Sequence, residues 1–339
     1  MARETGSGMR DHDGALAGQS LAGGFWAQLR RFLPRKAVKI GDSGALIETA
    51  RTHVARFDGA RLIAVPRGAT VPAPKDLRLA IIIPTRLKPC TTEAGSRTFI
   101  ERAMESALAQ ALDQPLKITF IAGVDVDADV PARLAQRPDL VIARSTGRSQ
   151  ILALNAAIAA ADQAYNFVAF LEDDDLWAPE FLAWSLLALV DHDFVSMSHV
   201  EIDESGKPVN IQDFPTPSSW LMLSGTLARV GAVDLKSKWH YDNDWLGRLG
   251  DSGLRRCHLV EKAAPLSLPR RLLRPGIGHL LRDAGPNITL LRHASERPLV
   301  IRLVHSGSGT AAVQSGGPAA RESKNEYKWL IERYGRIPW

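Results

Sequence analysis

The stretch FVAFLEDDDLW, Phe167 to Trp177, constrains this chain more than any other. Five apolar residues run directly into four carboxylates, Glu172, Asp173, Asp174 and Asp175, before Leu176 and Trp177. An apolar run of that length, closed by a polar cluster, fits a buried strand ending at a loop. Neighbouring carboxylates repel one another, while the apolar flanks hold the turn near a core. Arginine, a divalent cation or water has to offset that charge. On the metal reading the strand end seats Mg²⁺ or Mn²⁺, which take oxygen ligands and bridge to phosphate. On the plainer reading it is a solvated acidic turn that also caps a helix before Pro179. The turn alone does not choose between them.

Composition narrows the setting. A chain of 339 residues holds one large domain or two ordinary ones. A net charge of +5 favours anionic partners: nucleotide phosphates, an acidic glycan or an anionic membrane face. No dense Lys/Arg stripe with interleaved aromatics is present, so nucleic acid is not an expected partner. Cys90 and Cys257 lie far apart, with neither metal-ligand spacing nor a disulfide framework, which fits a reducing compartment. The start of the chain lacks a signal-peptide pattern. The apolar stretch Phe181 to Val190 is too short to span a bilayer. The expectation is a cytoplasmic protein, with at most peripheral contact at the inner membrane face.

The pattern divides the chain into three parts. Residues 1–76 read as an N-terminal extension. Within it, residues 1–24 have no period, and FWAQLRRFLPRKAVKI (25–40) gathers apolar groups on one helical face beside basic ones. That face suits a short helix packed on the protein's own body better than a membrane surface. ALIETA and RLIAV (45–50 and 61–65) predict a small hairpin, and Pro66 to Pro74 a linker. From Leu77 strands and helices alternate. Strands are expected at 79–83, 117–123, 140–143 and 167–171, with helices at 98–112, 131–136 and 149–161 between them. That order predicts βαβ units, a mostly parallel Rossmann-like sheet flanked by helices, and strand ends on one edge. Ligands of such sheets bind at the carboxyl edge. Pro84, Thr85 and Arg86, then Asp125, then Arg148, then the acidic turn converge there, and their cations and backbone donors suit a diphosphate. Alternatively, the arginines simply pair with the acidic turn.

The segments IIIPTR, GRSQILALNAAIAAA and FVAFLEDDDLWAPEFL together resemble the family 2 glycosyltransferases of GT-A fold. The match spans Leu79 to Pro265, with a fainter echo to His305. The resemblance implies an inverting, divalent-metal-dependent enzyme of polysaccharide synthesis, using Mn²⁺ or Mg²⁺. Its donor is a nucleoside-diphosphate sugar and its acceptor a glycan or lipid-linked glycan. By the same resemblance Asp174 is the principal metal ligand, and Glu172 faces the ribose or the sugar. Asp173 completes the aspartate motif, Asp125 meets the base, Thr85 lines the nucleotide pocket, and Asn155 marks the small-residue helix. HYDNDWLGRLGDSG (240–253) places Asp242 as catalytic base, with Asp244 as runner-up and Arg248 one turn on. IRLVHSGSGT makes His305 a metal or diphosphate ligand, with His279 and His293 as rivals.

This gives a catalytic domain over 77–265, split into a nucleotide-sugar half (77–200) and an acceptor half (201–265), and a helical capping region over 266–339. In that last region ESKNEYKWLIERYG (322–335) is an amphipathic helix docked on the core. Two rivals stand beside the transferase. A sugar-nucleotide-forming enzyme needs a Gly-rich loop after the first strand, and PTRLKPC has none. A GT-A-like module that binds nucleotide or glycan without turnover differs from the enzyme in lacking a base beside the metal seat.

Overall fold

A computed structural model describes residues 39–58, 61–69, 77–90, 97–113, 115–161, 164–264 and 288–338, all within the unit Arg35–Trp339. In chain order the described elements begin with β1 (Lys39–Ile40), α1 (Ser43–Thr52), β2 (His53–Asp58), β3 (Arg61–Pro66), β4 (Arg78–Pro84) and α2 (Phe99–Leu108). Next come β5 (Lys117–Val124), α3 (Ala132–Ala135), β6 (Leu140–Arg144), α4 (Gln150–Ala160), β7 (Phe167–Phe170) and β8 (Leu176–Trp177). They continue with α5 (Phe181–Ala188), β9 (Phe194–Met197), β10 (His199–Ile202), β11 (Pro208–Gln212), β12 (Leu221–Leu223), α6 (Ser224–Val230) and α7 (Tyr241–Asp251). The last are β13 (Arg256–Val260), β14 (Ile288–Arg292), β15 (Val300–Leu303), α8 (Gly309–Gln314) and α9 (Gly317–Tyr334).

The fold is α/β, built on a large, mostly parallel sheet flanked by helices. Its strand order is β1-β14-β13-β9-β12-β7-β4-β5-β6. Leu79 to Ile83 are wholly buried, as a central strand covered on both faces requires. The strand–helix alternation of the sequence is realised through β4, α2, β5, α3, β6, α4 and β7. One strand runs the other way: β12 is antiparallel to both β7 and β9. It delivers Trp220 into an aromatic cluster with Trp245, at 4.9 Å between stacked ring centroids, and with Phe170 at 5.4 Å. Both tryptophans are fully buried, so the helix bearing Trp245, α7, is fastened to the sheet.

A second sheet, β11-β10-β15-β8, lies beyond the acidic turn. Two expectations are corrected here. ALIETA is not a strand but the body of α1, because Asp42 accepts a hydrogen bond from Ala45 N at 3.1 Å and starts a helix. The hairpin is β2 with β3 instead. The region after 265 is also not merely a helical cap. β14 lies between β13 and β1 in the main sheet, and β15 between β10 and β8 in the second. These are runs of four or five residues, too short for their period to show. The amphipathic segment at 25–38, His279 and the basic stretch before residue 288 lie outside the described residues. No described helix is long and apolar enough to cross a membrane.

Candidate active site

The parallel register pairs Pro84 with Gly123 and Ile82 with Phe170, so β4, β5 and β7 release the chain at one edge. Thr85, buried at the exit of β4, donates its hydroxyl to Asp173 Oδ2 at 2.5 Å and accepts from Leu87 N at 2.9 Å. Pro84 ends the strand just before it, and Arg86 is exposed just after it. Thr85 thus ties the first strand's end to the acidic turn.

The four carboxylates of the turn are held differently. Asp175 is buried and accepts from Ser218 Oγ at 2.5 Å, while Ser218 Oγ accepts from Glu172 N at 2.9 Å. Glu172 receives the Tyr241 hydroxyl at 3.4 Å. Asp174 Oδ2 lies 2.9 Å from His305 Nε2, and that contact raises the imidazole's proton affinity. Burial, with the neighbouring Asp174 charge, pushes the Asp173 carboxyl up to about 7. Burial likewise raises Glu172 and, further, Asp175, whose neighbours Asp174 and Glu172 add to the effect. Burial is the main cause of these rises, and repulsion among the neighbouring carboxylates adds to it.

The offset comes from Arg302. β15 runs antiparallel to β8, with Ile301 opposite Leu176; one step further along that register sets Arg302 opposite Asp175. Burial works against its charge, but Glu172, Asp175, Asp174 and Glu201 outweigh it and hold the guanidinium firmly protonated. Lys88, exposed, lies on the same side and acts on both Asp173 and His305.

Asp242 stands near the turn, in the first turn of α7 and half-buried, close enough to feel the Glu172 charge. Burial raises its carboxyl to about 7 against the pull of the Asn243 N–H, with help from the Glu172 charge. A base-strength carboxylate therefore looks toward the acidic turn from a separate helix. The runner-up is committed elsewhere. Asp244 is wholly buried, and its oxygens meet Tyr334 at 2.7 Å, Arg248 at 3.1 Å and Arg333 at 3.2 Å.

Three other expected residues have structural partners. Asp125 accepts from Ser149 N at 3.1 Å and so fixes the start of α4. Arg148 makes an exposed two-pronged pair with Asp127, not with the acidic turn. Asn155 exchanges hydrogen bonds with the Val233 backbone, at 2.9 and 2.8 Å, and ties α4 to the loop before α7. His293 is buried beside Trp184, at the end of β14.

No family model and no curated protein sequence matches the chain. Solved structures do. S. aureus TarS 1-349 in complex with UDP aligns at 12% identity over 76% of this chain and 72% of that one, with a TM-score of 0.43. The same protein in complex with UDP-GlcNAc gives 12% identity, coverages of 76% and 73%, and a TM-score of 0.41. The longer TarS structure gives 13% identity and a TM-score of 0.41 over 75% of this chain, which spans 43% of that one.

Sequence reading missed Arg302, Ser218 and Lys88. Lys88 had a signal, since it follows Thr85 by three residues on the same exit loop. Ser218 and Arg302 had none, because each reaches the turn only through tertiary pairing. Among the described residues no group of three or more His, Cys, Asp or Glu is arranged to enclose a metal ion. Asp174 and His305 nevertheless offer an oxygen and a nitrogen donor at hydrogen-bond distance, amid carboxyls that a cation would relieve. With His305 neutral, that pair would hold a divalent ion whose other ligands come from substrate or water; the imidazole suits Mn²⁺ better than Mg²⁺, which takes oxygen.

Proposed function

We propose that the protein is a glycosyltransferase that moves a sugar from a nucleoside diphosphate to a hydroxyl acceptor, with inversion. The observation that carries this is the juxtaposition of two features. One is the acidic turn at a carboxyl edge of a mostly parallel sheet; the other is Asp242, a single carboxylate of raised proton affinity that feels the Glu172 charge. Inverting transfer needs both: a seat for the departing diphosphate, and a base on the opposite face.

Asp242 takes the acceptor hydroxyl's proton as that oxygen bonds to the anomeric carbon. The carbon–oxygen bond to the diphosphate breaks on the other face, and its electron pair leaves with the diphosphate. Lys88 and Arg86 are the protein's cations at that end. A divalent ion held by Asp174 and His305 would supply further charge neutralisation to the leaving group. Thr85 and Ser218 keep the turn in shape meanwhile. The acceptor class is a glycan or lipid-linked glycan.

The test is a calorimetric panel of UDP, GDP, dTDP and CDP, each with and without Mn²⁺. One nucleotide should bind in a metal-dependent way, and Asp174→Ala should weaken it about tenfold or more, the worth of a charged contact. If all four bind no better with metal than without, and none releases product from its sugar conjugate, the reading fails.

The pH dependence has a definite sign. A general base works when deprotonated, so turnover should rise with pH through about 7, the value to which Asp242 is pushed. A pH–rate profile already flat at pH 5 would remove Asp242 from that role.

A further inference from the structure

The start of α7 is gripped from outside the sheet. Glu326, on α9, accepts three successive backbone N–H groups: Lys238 at 3.0 Å, Trp239 at 2.8 Å and His240 at 2.9 Å. A helix start leaves such donors unpaired, and a carboxylate there also suits the helix dipole. His240 is fixed again by Ser323 Oγ at 2.7 Å and by the Tyr327 ring, stacked at 3.7 Å. Beyond Asp242 the grip resumes. Asn243 Nδ2 donates to Pro338 O at 2.7 Å, and Tyr334 donates to Asp244. Gly247 lies so close to the Tyr334 ring that a Cβ there would meet it at 2.6 Å.

Residues 238–240 before Asp242 and Asp244 after it are thus tied to α9, and Asn243 to the residues that follow α9. The Asp242 carboxylate itself accepts from Asn243 N at 2.9 Å and has Glu172 and the Tyr327 phenol as charged or polar neighbours. We infer that α9 sets the position of Asp242, with Glu326 as the positioning residue; this rests on the base role proposed above. A displacement of about 1 Å at a reacting group costs on the order of a hundredfold in rate. A carboxylate that anchors the three residues before the base is placed to prevent one.

The experiment compares the full chain with Glu326→Ala, Glu326→Gln and Glu322→Gln. Glu322 is the control: it sits on the same helix but touches only the Lys238 and Trp239 side chains, at 3.1 and 2.9 Å. Release of nucleoside diphosphate from UDP-, GDP-, dTDP- and CDP-sugars gives kcat and donor KM. Amide exchange is followed over 238–244. Glu326→Ala should lower kcat about tenfold or more with donor KM nearly unchanged. Glu326→Gln, which keeps an acceptor oxygen, should recover part of the loss, and Glu322→Gln should behave as wild type. Wild-type kcat in Glu326→Ala, or an equal loss in Glu322→Gln, overturns the inference. If the wild type releases no diphosphate from any donor, the transfer reading fails, and exchange decides the positioning. Amides 238–240 must then exchange about tenfold faster in Glu326→Ala alone, the equivalent of one lost charged hydrogen bond. Unchanged exchange overturns it.

Discussion

Asp242→Asn is expected to remove sugar transfer while leaving nucleotide binding intact. A general base contributes about 10² to 10⁴ in rate, so kcat should fall by that factor with donor affinity within a few-fold of wild type. The same substitution should stabilise the fold at alkaline pH. The Asp242 carboxyl stands at about 7 in the folded protein, against an ordinary value of 3.8. Between those values the folded state holds a proton that the unfolded chain releases. Its contribution to stability is therefore complete below about pH 4 and is lost as pH rises through 7. Asparagine carries no such charge. The variant should unfold at higher denaturant than wild type at pH 8, by about 1 kcal/mol once partial exposure is discounted, and near wild type at pH 4. A variant that is inactive yet no more stable at pH 8 would leave Asp242 in the mechanism but contradict its crowded environment. One that turns over normally would remove the assignment.

Arg302→Met should produce the largest loss of stability. The guanidinium answers Glu172, Asp175, Asp174 and Glu201 at once. Methionine keeps the aliphatic stem and deletes the charge. Breaking a buried ionic group by removing one partner costs about 3 kcal/mol or more, because the remaining charges stay enclosed. Here those charges are carboxylates already raised by burial. Without Arg302 their folded-state values climb further, so the loss grows as pH rises and shrinks as pH falls through 4, where the unfolded chain's carboxyls begin to take up protons as well. Urea unfolding at pH 4 and pH 8 reads this directly. Arg302→Lys should lie between, since an ammonium restores charge but not the planar fork. Equal stability of Arg302→Met and wild type at pH 8 would show that the guanidinium is not the turn's counter-charge.

The difference between these two residues explains what a one-dimensional reading reaches. Asp242 was reached only through the resemblance of HYDNDWLGRLGDSG to the family's acidic pair before a helix, and it lies in the first turn of α7. The central strands were legible from the residues themselves: Leu79 to Ile83 and Phe167 to Leu171 are unbroken apolar runs. Arg302 was not legible. It sits in a four-residue strand whose identity depends on a partner far earlier in the chain. Asn155 shows the opposite error. Its helix was found, but its amide is spent on the Val233 backbone, a contact that no local spacing encodes. Residues 45–50 misled because a short alternating run does not separate helix from strand until its cap, Asp42, is counted. The terminal helix was foreseen as amphipathic and docked, and Leu330 is indeed buried. Its polar edge, with Glu326, lies outside what an apolar pattern can report.

The union of Asp174 with His305 spans 131 residues of chain. A ribosome making this protein exposes the acidic turn long before β15 emerges to meet it. Until then the four carboxylates face one another without their guanidinium, and β8 has no neighbour to zip against. Closure of so long a loop is slow, and the half-made sheet leaves open edges in the interval. Native geometry at the turn should thus follow the docking of β15, and in refolding from denaturant the ordering of the turn and of β15 should occur together and later than that of the central strands.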